Sequence, residues 1–83
     1  MTGREYYEIK EAILSLNLVS YGKGYNYTFQ STSRYNPISN NLSSNNWIYR
    51  WKNNGHKYDE MVKVKNIVEA MAYISQEFEK YKE

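Results

Sequence analysis

Cysteine is absent from this 83-residue chain, which excludes a disulfide framework and any thiolate-based metal site. Histidine occurs once, at His56. A zinc site needs three or four convergent ligands, so no metal and no cofactor is expected. One proline and four glycines leave few places where the backbone must turn sharply. No apolar run approaches the ~20 residues of a membrane-spanning helix, and no secretory leader pattern is present. The expectation is a cytoplasmic protein with no membrane partner. The formal net charge of +2 is too small to argue for nucleic acid by itself.

What the chain has instead is tyrosine, ten of them. A core built from so few residues cannot easily satisfy that many hydroxyls, so several should lie at the surface or in an interface, with Tyr7, Tyr35 and Tyr73 as candidates. Residues 1–83 form one domain, since the chain is too short for two cores. The richness in Asn, Lys, Tyr, Ile and Ser fits an AT-rich coding genome of phage, viral or plasmid origin.

The organising stretch is NWIYRWKNNGHKYD, residues 46–59. Trp47, Tyr49 and Trp51 alternate with Ile48, Arg50 and Lys52, the period-2 pattern of a half-buried strand. Asn54-Gly55 follows and predicts a type I′ hairpin turn. Such a turn sets Lys52 opposite Lys57, Trp51 opposite Tyr58, Arg50 opposite Asp59 and Ile48 opposite Met61. One face then carries Trp47, Tyr49, Trp51, Tyr58, Val62 and Val64, with Glu60 as a misfit. The other carries Ile48, Arg50, Lys52, Lys57, Asp59, Met61, Lys63 and Lys65. Burying an aromatic ring yields roughly 4–6 kcal/mol, against ~1–3 kcal/mol for stacking a base on it. The aromatic face is therefore predicted to be core and the basic face to look outward.

Helical spacing flanks this hairpin. Thr2 and Glu5 have capping-box spacing, and Tyr6, Ile9, Ile13 and Leu16 recur on one stripe, predicting a helix over 3–16 that Asn17 ends. Strands are expected at about 18–21, 25–31, 46–52 and 56–64. Gly22-Lys23-Gly24 serves either as a hairpin loop or as a bulge in one longer strand. Residues 32–45 read as a long polar loop, either a binding element or a spacer. Asn66 and Glu69 cap a second helix over 67–82, with Ile67, Met71, Ile74, Phe78 and Tyr81 as its stripe. The predicted class is α+β: a small two-layer domain with an antiparallel sheet of three or four strands and both helices on one face.

The element order α-β-β-β-α is similar to that of double-stranded-RNA-binding domains. Lys63 and Lys65 before the last helix resemble the lysines those domains place at the start of theirs. The likeness is one of topology and implies no family membership.

For function, no pocket of convergent titratable groups is written in the chain, so no enzyme and no catalytic residue is expected. Asp59 is expected to partner Arg50 rather than serve a nuclease site. The leading expectation is a non-enzymatic nucleic-acid-binding module. Arg50, Lys52, Lys57, Lys63 and Lys65 would neutralise phosphates, and Arg34 and Tyr35 would make finer contacts from the loop. The alternative is a small protein-binding module, a phage or viral inhibitor of a host protein, or a homodimer that buries the surplus tyrosines.

Overall fold

The computed structural model describes the backbone of residues 3–36 and 41–82, with side chains for 3–31 and 45–82. Helix α1 (Gly3–Ser20) leads through a 3-10 turn (Tyr21–Lys23) into three strands, β1 (Tyr25–Asn36), β2 (Asn41–Lys52) and β3 (Tyr58–Val64). Helix α2 (Ile67–Lys80) closes the chain. The sheet is antiparallel in the order β1-β2-β3. Both helices contribute to a single buried cluster beneath it, so the predicted α+β layout holds.

Helix α1 outruns its predicted end by four residues, because the buried stripe does not stop at Leu16. Ile9, Ile13, Leu16 and Ser20 are all buried at 4-3-4 spacing. Asn17 does not terminate the helix. Its side-chain amide donates to the Tyr27 carbonyl at 2.9 Å and accepts from the Tyr27 N–H at 2.6 Å. Ser20 Oγ donates to the Tyr25 carbonyl at 3.0 Å. These two side chains dock α1 on the outer edge of β1. No strand forms over 18–21, since those residues finish the helix and enter the 3-10 turn. Gly24 reverses the chain at φ 97°, a left-handed conformation in which glycine has no Cβ to clash. Thr2 lies outside the described residues.

The expected loop over 32–45 is instead mostly strand. β1 and β2 stay paired from Tyr25↔Lys52 out to Asn36↔Asn41. Polar Ser, Thr and Asn on both parities carry no hydrophobic alternation, so this ribbon gave no period-2 signal. Residues 37–40 of the former loop lie outside the described residues.

The β2–β3 connection departs from a two-residue turn. The strands stop at Lys52 and resume at Tyr58. Gly55 N–H donates to the Lys52 carbonyl at 2.9 Å, which places Asn53-Asn54 at the centre of the turn. Asn53 is drawn away from the hairpin. Its N–H donates to the Gly24 carbonyl at 3.0 Å, and its amide donates to the Tyr21 carbonyl at 2.8 Å. Lys52 and Lys57 therefore do not face each other across the ladder.

Past the turn, Trp51↔Tyr58 is the one predicted pair that holds. A bulge at Asp59 then shifts the register, giving Arg50↔Glu60, Tyr49↔Met61, Ile48↔Val62, Trp47↔Lys63 and Asn46↔Val64. This inverts the predicted faces of β2. On β1, Tyr27 and Phe29 are buried and Thr28 and Gln30 exposed. Directly opposed residues share a face. Phe29↔Ile48 and Tyr27↔Arg50 thus place Ile48 and Arg50 on the helix side of the sheet, while Thr28↔Tyr49 and Gln30↔Trp47 turn the rings outward. Ile48 is fully buried. The layer between sheet and helices is occupied by Tyr27, Phe29, Ile48 and the helix aliphatics, and the β2 rings lie outside it.

Helix α2 starts as expected. Asn66 Oδ1 accepts the Glu69 N–H at 3.0 Å, and Glu69 accepts from the Lys65 N–H at 3.0 Å. Its buried line is Ala70, Ile74 and Glu77, with Ile67, Tyr73, Phe78 and Tyr81 packed alongside and Met71 turned out.

Candidate nucleic-acid interface

Two groups of residues stand out, one on each side of the sheet. Beneath it, Arg50 is held by three carboxylates. Its guanidinium lies 2.6 Å from Asp59, 3.2 Å from Glu60 and 3.2 Å from Glu77, and 5.4 Å from the centroid of the Tyr25 ring. Glu77 is 1% exposed and is also bound by Lys80 at 2.6 Å. The Tyr27 hydroxyl donates to Glu77 Oε1 at 2.8 Å, so the Tyr81 hydroxyl, 2.8 Å away, donates to Tyr27. Asp59 can reach Arg50 because the bulge turns it out of the ladder.

Burial alone would raise the Glu77 carboxyl. Hydrogen bonds from Lys80, Tyr27 and Arg50 outweigh it and hold the group below the usual carboxylate range. Burial is also the largest influence on Arg50 and works against its charge, but Asp59, Glu60 and Glu77 keep it protonated above its ordinary value. Tyr27 is raised far above the tyrosine range, first by burial and then by its bonds to Tyr81 and Glu77. Tyr73 is raised too, by burial and by the nearby charges of Glu77 and Glu60.

A pH dependence follows. A carboxyl depressed by folding stabilises the fold above its unfolded pKa of about 4.3, and that stabilisation is lost as pH falls through the lower folded value. Urea midpoints should therefore drop below about pH 4. In Glu77→Gln the decline across the same window should be shallower. An equally steep decline in that variant would assign the acid sensitivity elsewhere.

The upper side of the sheet is open. Along β2, Trp47, Tyr49 and Trp51 project from it half-buried, between Thr28 and Gln30 of β1 and Tyr58, Met61 and Lys63 of β3. Tyr58 is 48% exposed. Tyr49, Trp51 and Tyr58 form a cluster with ring centroids 5.2 to 6.2 Å apart. The Trp51 indole N–H donates to Thr28 Oγ1 at 2.9 Å, which fixes the ring's orientation. A cleft of about 420 Å³ is lined by Thr28, Phe29, Gln30, Tyr49, Trp51 and Tyr58. A second, of about 620 Å³, is lined by Trp51, His56, Lys57 and Tyr58. Neither lining includes a carboxylate.

The predicted cations do not share one face. Arg50 lies under the sheet in its carboxylate cluster. Lys52 is exposed at the end of β2, on the same parity as Arg50. Lys57 borders the second cleft and Lys63 sits opposite Trp47, so these two flank the open face. Lys65 is exposed beyond β3. Arg34 and Tyr35 are strand residues paired with Ser43 and Leu42, not loop residues. The predicted Arg50–Asp59 partnership does form. Tyr7 is exposed as expected, whereas Tyr73 is half-buried with its hydroxyl 3.5 Å from Glu60.

The rings of the open face were missed as surface residues. The polar parity of Asn26, Thr28 and Gln30 marks a wet face on β1, but only the register with β2 assigns the rings to that face. Among the described residues no group of acidic and histidine side chains could hold a metal ion, and no helix is long and apolar enough to cross a membrane. Comparison with protein-family models, with curated proteins and with solved structures finds no match.

Proposed function

We propose that this chain is a non-enzymatic module that binds single-stranded nucleic acid on its open sheet face. The observation that carries the reading is an oriented aromatic cluster, Tyr49, Trp51 and Tyr58, bordered by lysines and lined by no carboxylate. Bases offer flat faces to such rings, each stack being worth ~1–3 kcal/mol whatever the base. Paired bases keep their faces inside the duplex, so the platform selects single strands. Lys57 and Lys63 add a modest salt-dependent attraction. Arg50, Lys52, Lys57, Lys63 and Lys65 do not form a single row of cations, and the rings carry the reading in their place.

Titration with labelled oligodeoxythymidylate should quench tryptophan fluorescence, and a duplex of equal length should bind much more weakly. Trp51→Ala should weaken single-strand binding by about 5- to 150-fold, the loss of one stack. Unchanged affinity in that variant would sink the proposal.

A second reading rests on a separate observation. Tyr7, Leu14 and Leu18 lie on the side of α1 opposite its core stripe, and Leu18 is 85% exposed. Exposed apolar residues at helical spacing favour a protein-binding module, the alternative expected from the tyrosine count. Salt-independent self-association or protein capture, lost in Leu18→Lys, would support it.

A further inference from the structure

The two clefts on the open face share two lining residues, Trp51 and Tyr58. Their rings stand 84° apart with centroids at 6.0 Å, so the pair forms a ridge with one depression on each side. The depressions differ in chemistry. On the sheet side the polar walls are Thr28 and Gln30, uncharged groups suited to the edge of a base. The Thr28 oxygen already accepts from Trp51, which leaves the hydroxyl proton to donate outward. The Gln30 amide offers both a donor and an acceptor. On the hairpin side the polar walls are Lys57 and His56, donors suited to an anion. Lys57 presents three N–H donors and no acceptor.

We infer that the Trp51–Tyr58 ridge separates two consecutive nucleotide subsites, a base-reading cleft at Thr28, Gln30 and Tyr49 and a phosphate-holding cleft at Lys57 and His56. This inference rests on the single-strand reading above and adds the order of the groups along the strand. The smallest ligand that fills both clefts is a dinucleotide, in which one base stacks against Tyr49 and Trp51, the linking phosphate crosses the ridge to Lys57, and the second base stacks on the hairpin side of Trp51 and Tyr58. The ridge needs little ordering on binding, because the indole is already held by Thr28 and Tyr58 already packs on Tyr49 at 5.2 Å. A mononucleotide can place its base against Tyr49 and Trp51 and its phosphate at Lys57, but it lacks the second stack.

The test uses the full chain with thymidine monophosphate, the thymidine dinucleotide and a longer oligodeoxythymidylate, followed by tryptophan quenching across salt. The dinucleotide should bind at least about fivefold tighter than the mononucleotide, the yield of one further stack. Lys57→Gln lies in an exposed connection and should leave the fold intact. It should reduce the slope of log affinity against log salt by about 0.7, the loss of one phosphate contact on a single strand. Gln30→Ala should leave that slope unchanged and alter the preference among homopolymers. If oligonucleotides bind and quench but Lys57→Gln keeps the full slope, the subsite assignment is wrong while the single-strand reading stands. If no oligonucleotide binds at low salt, both fall, and a peptide ligand becomes the occupant to pursue.

Discussion

Arg50→Ala should destabilise the fold by about 3 kcal/mol, near the low end for removing one partner of a buried ion pair. A domain of this size is stabilised by only ~4–12 kcal/mol in all, so the variant should be partly unfolded on mild warming. The loss has three sources. Glu77 stays 1% exposed and gives up its guanidinium donor. Asp59 and Glu60 lose their shared cation. The Tyr25 ring loses the group beside it. Lys80 and Tyr27 remain on Glu77, which is why the upper end of the range is not reached. Arg50→Lys should recover only part, since an ammonium cannot reproduce a fork that meets Asp59 through two nitrogens and Glu77 through a third contact. Arg50→Glu should be the most damaging, adding a fourth carboxylate to three. An outward-facing Arg50, as read from the sequence, would tolerate charge reversal, whereas its three carboxylate partners make the fold depend on it. Urea denaturation resolves it: a midpoint for Arg50→Ala within error of the parent would mean the cluster contributes nothing.

Ile48→Ala should cost about 3 kcal/mol, within the range for emptying a buried aliphatic site. In a domain of this length that corresponds to a fall in Tm of about 12–24 °C. Tyr49→Ala, one residue along the same strand, should cost about 1 kcal/mol, the value of a cross-strand aromatic contact on a half-open surface. The larger ring is thus the cheaper one to remove. Reversed ordering in thermal melts would restore the aromatic face to the core and remove the platform on which single-strand binding is proposed.

The comparison between these two residues also shows how far the sequence could be followed. Both helices were legible because Ile9, Ile13 and Leu16, and Ile74 and Phe78, repeat at a spacing that only a helix brings to one side. The Asn66–Glu69 cap was legible because its chemistry is local. The parity of β1 was legible from alternation between Tyr27 or Phe29 and Thr28 or Gln30. β2 was not, since both of its parities contain large apolar groups and the choice between them belongs to the pairing with β1. The bulge at Asp59 and the recruitment of Asn53 by Gly24 and Tyr21 are tertiary events with no local mark. The same holds for the candidate site. Tyr49, Trp51 and Tyr58 were in view in the central stretch, but Thr28 and Gln30 lie outside it, and the ion cluster around Glu77 joins residues fifty apart in the chain, Tyr27 and Glu77. That separation hid Arg50's structural role and lent the basic face its apparent unity.

The bond pair between Asn17 and Tyr27 bears on how these molecules behave in a crowd. β1 is an outer strand, and an outer strand with free N–H and C=O groups is a template on which another chain can lay a strand of its own. The Asn17 amide presents a donor and an acceptor to Tyr27 as a neighbouring strand would, and Ser20 occupies the Tyr25 carbonyl. Together they counterfeit one short strand made from helix side chains. Growth of sheet from molecule to molecule is thereby blocked at the start of β1, where the strand is most apolar.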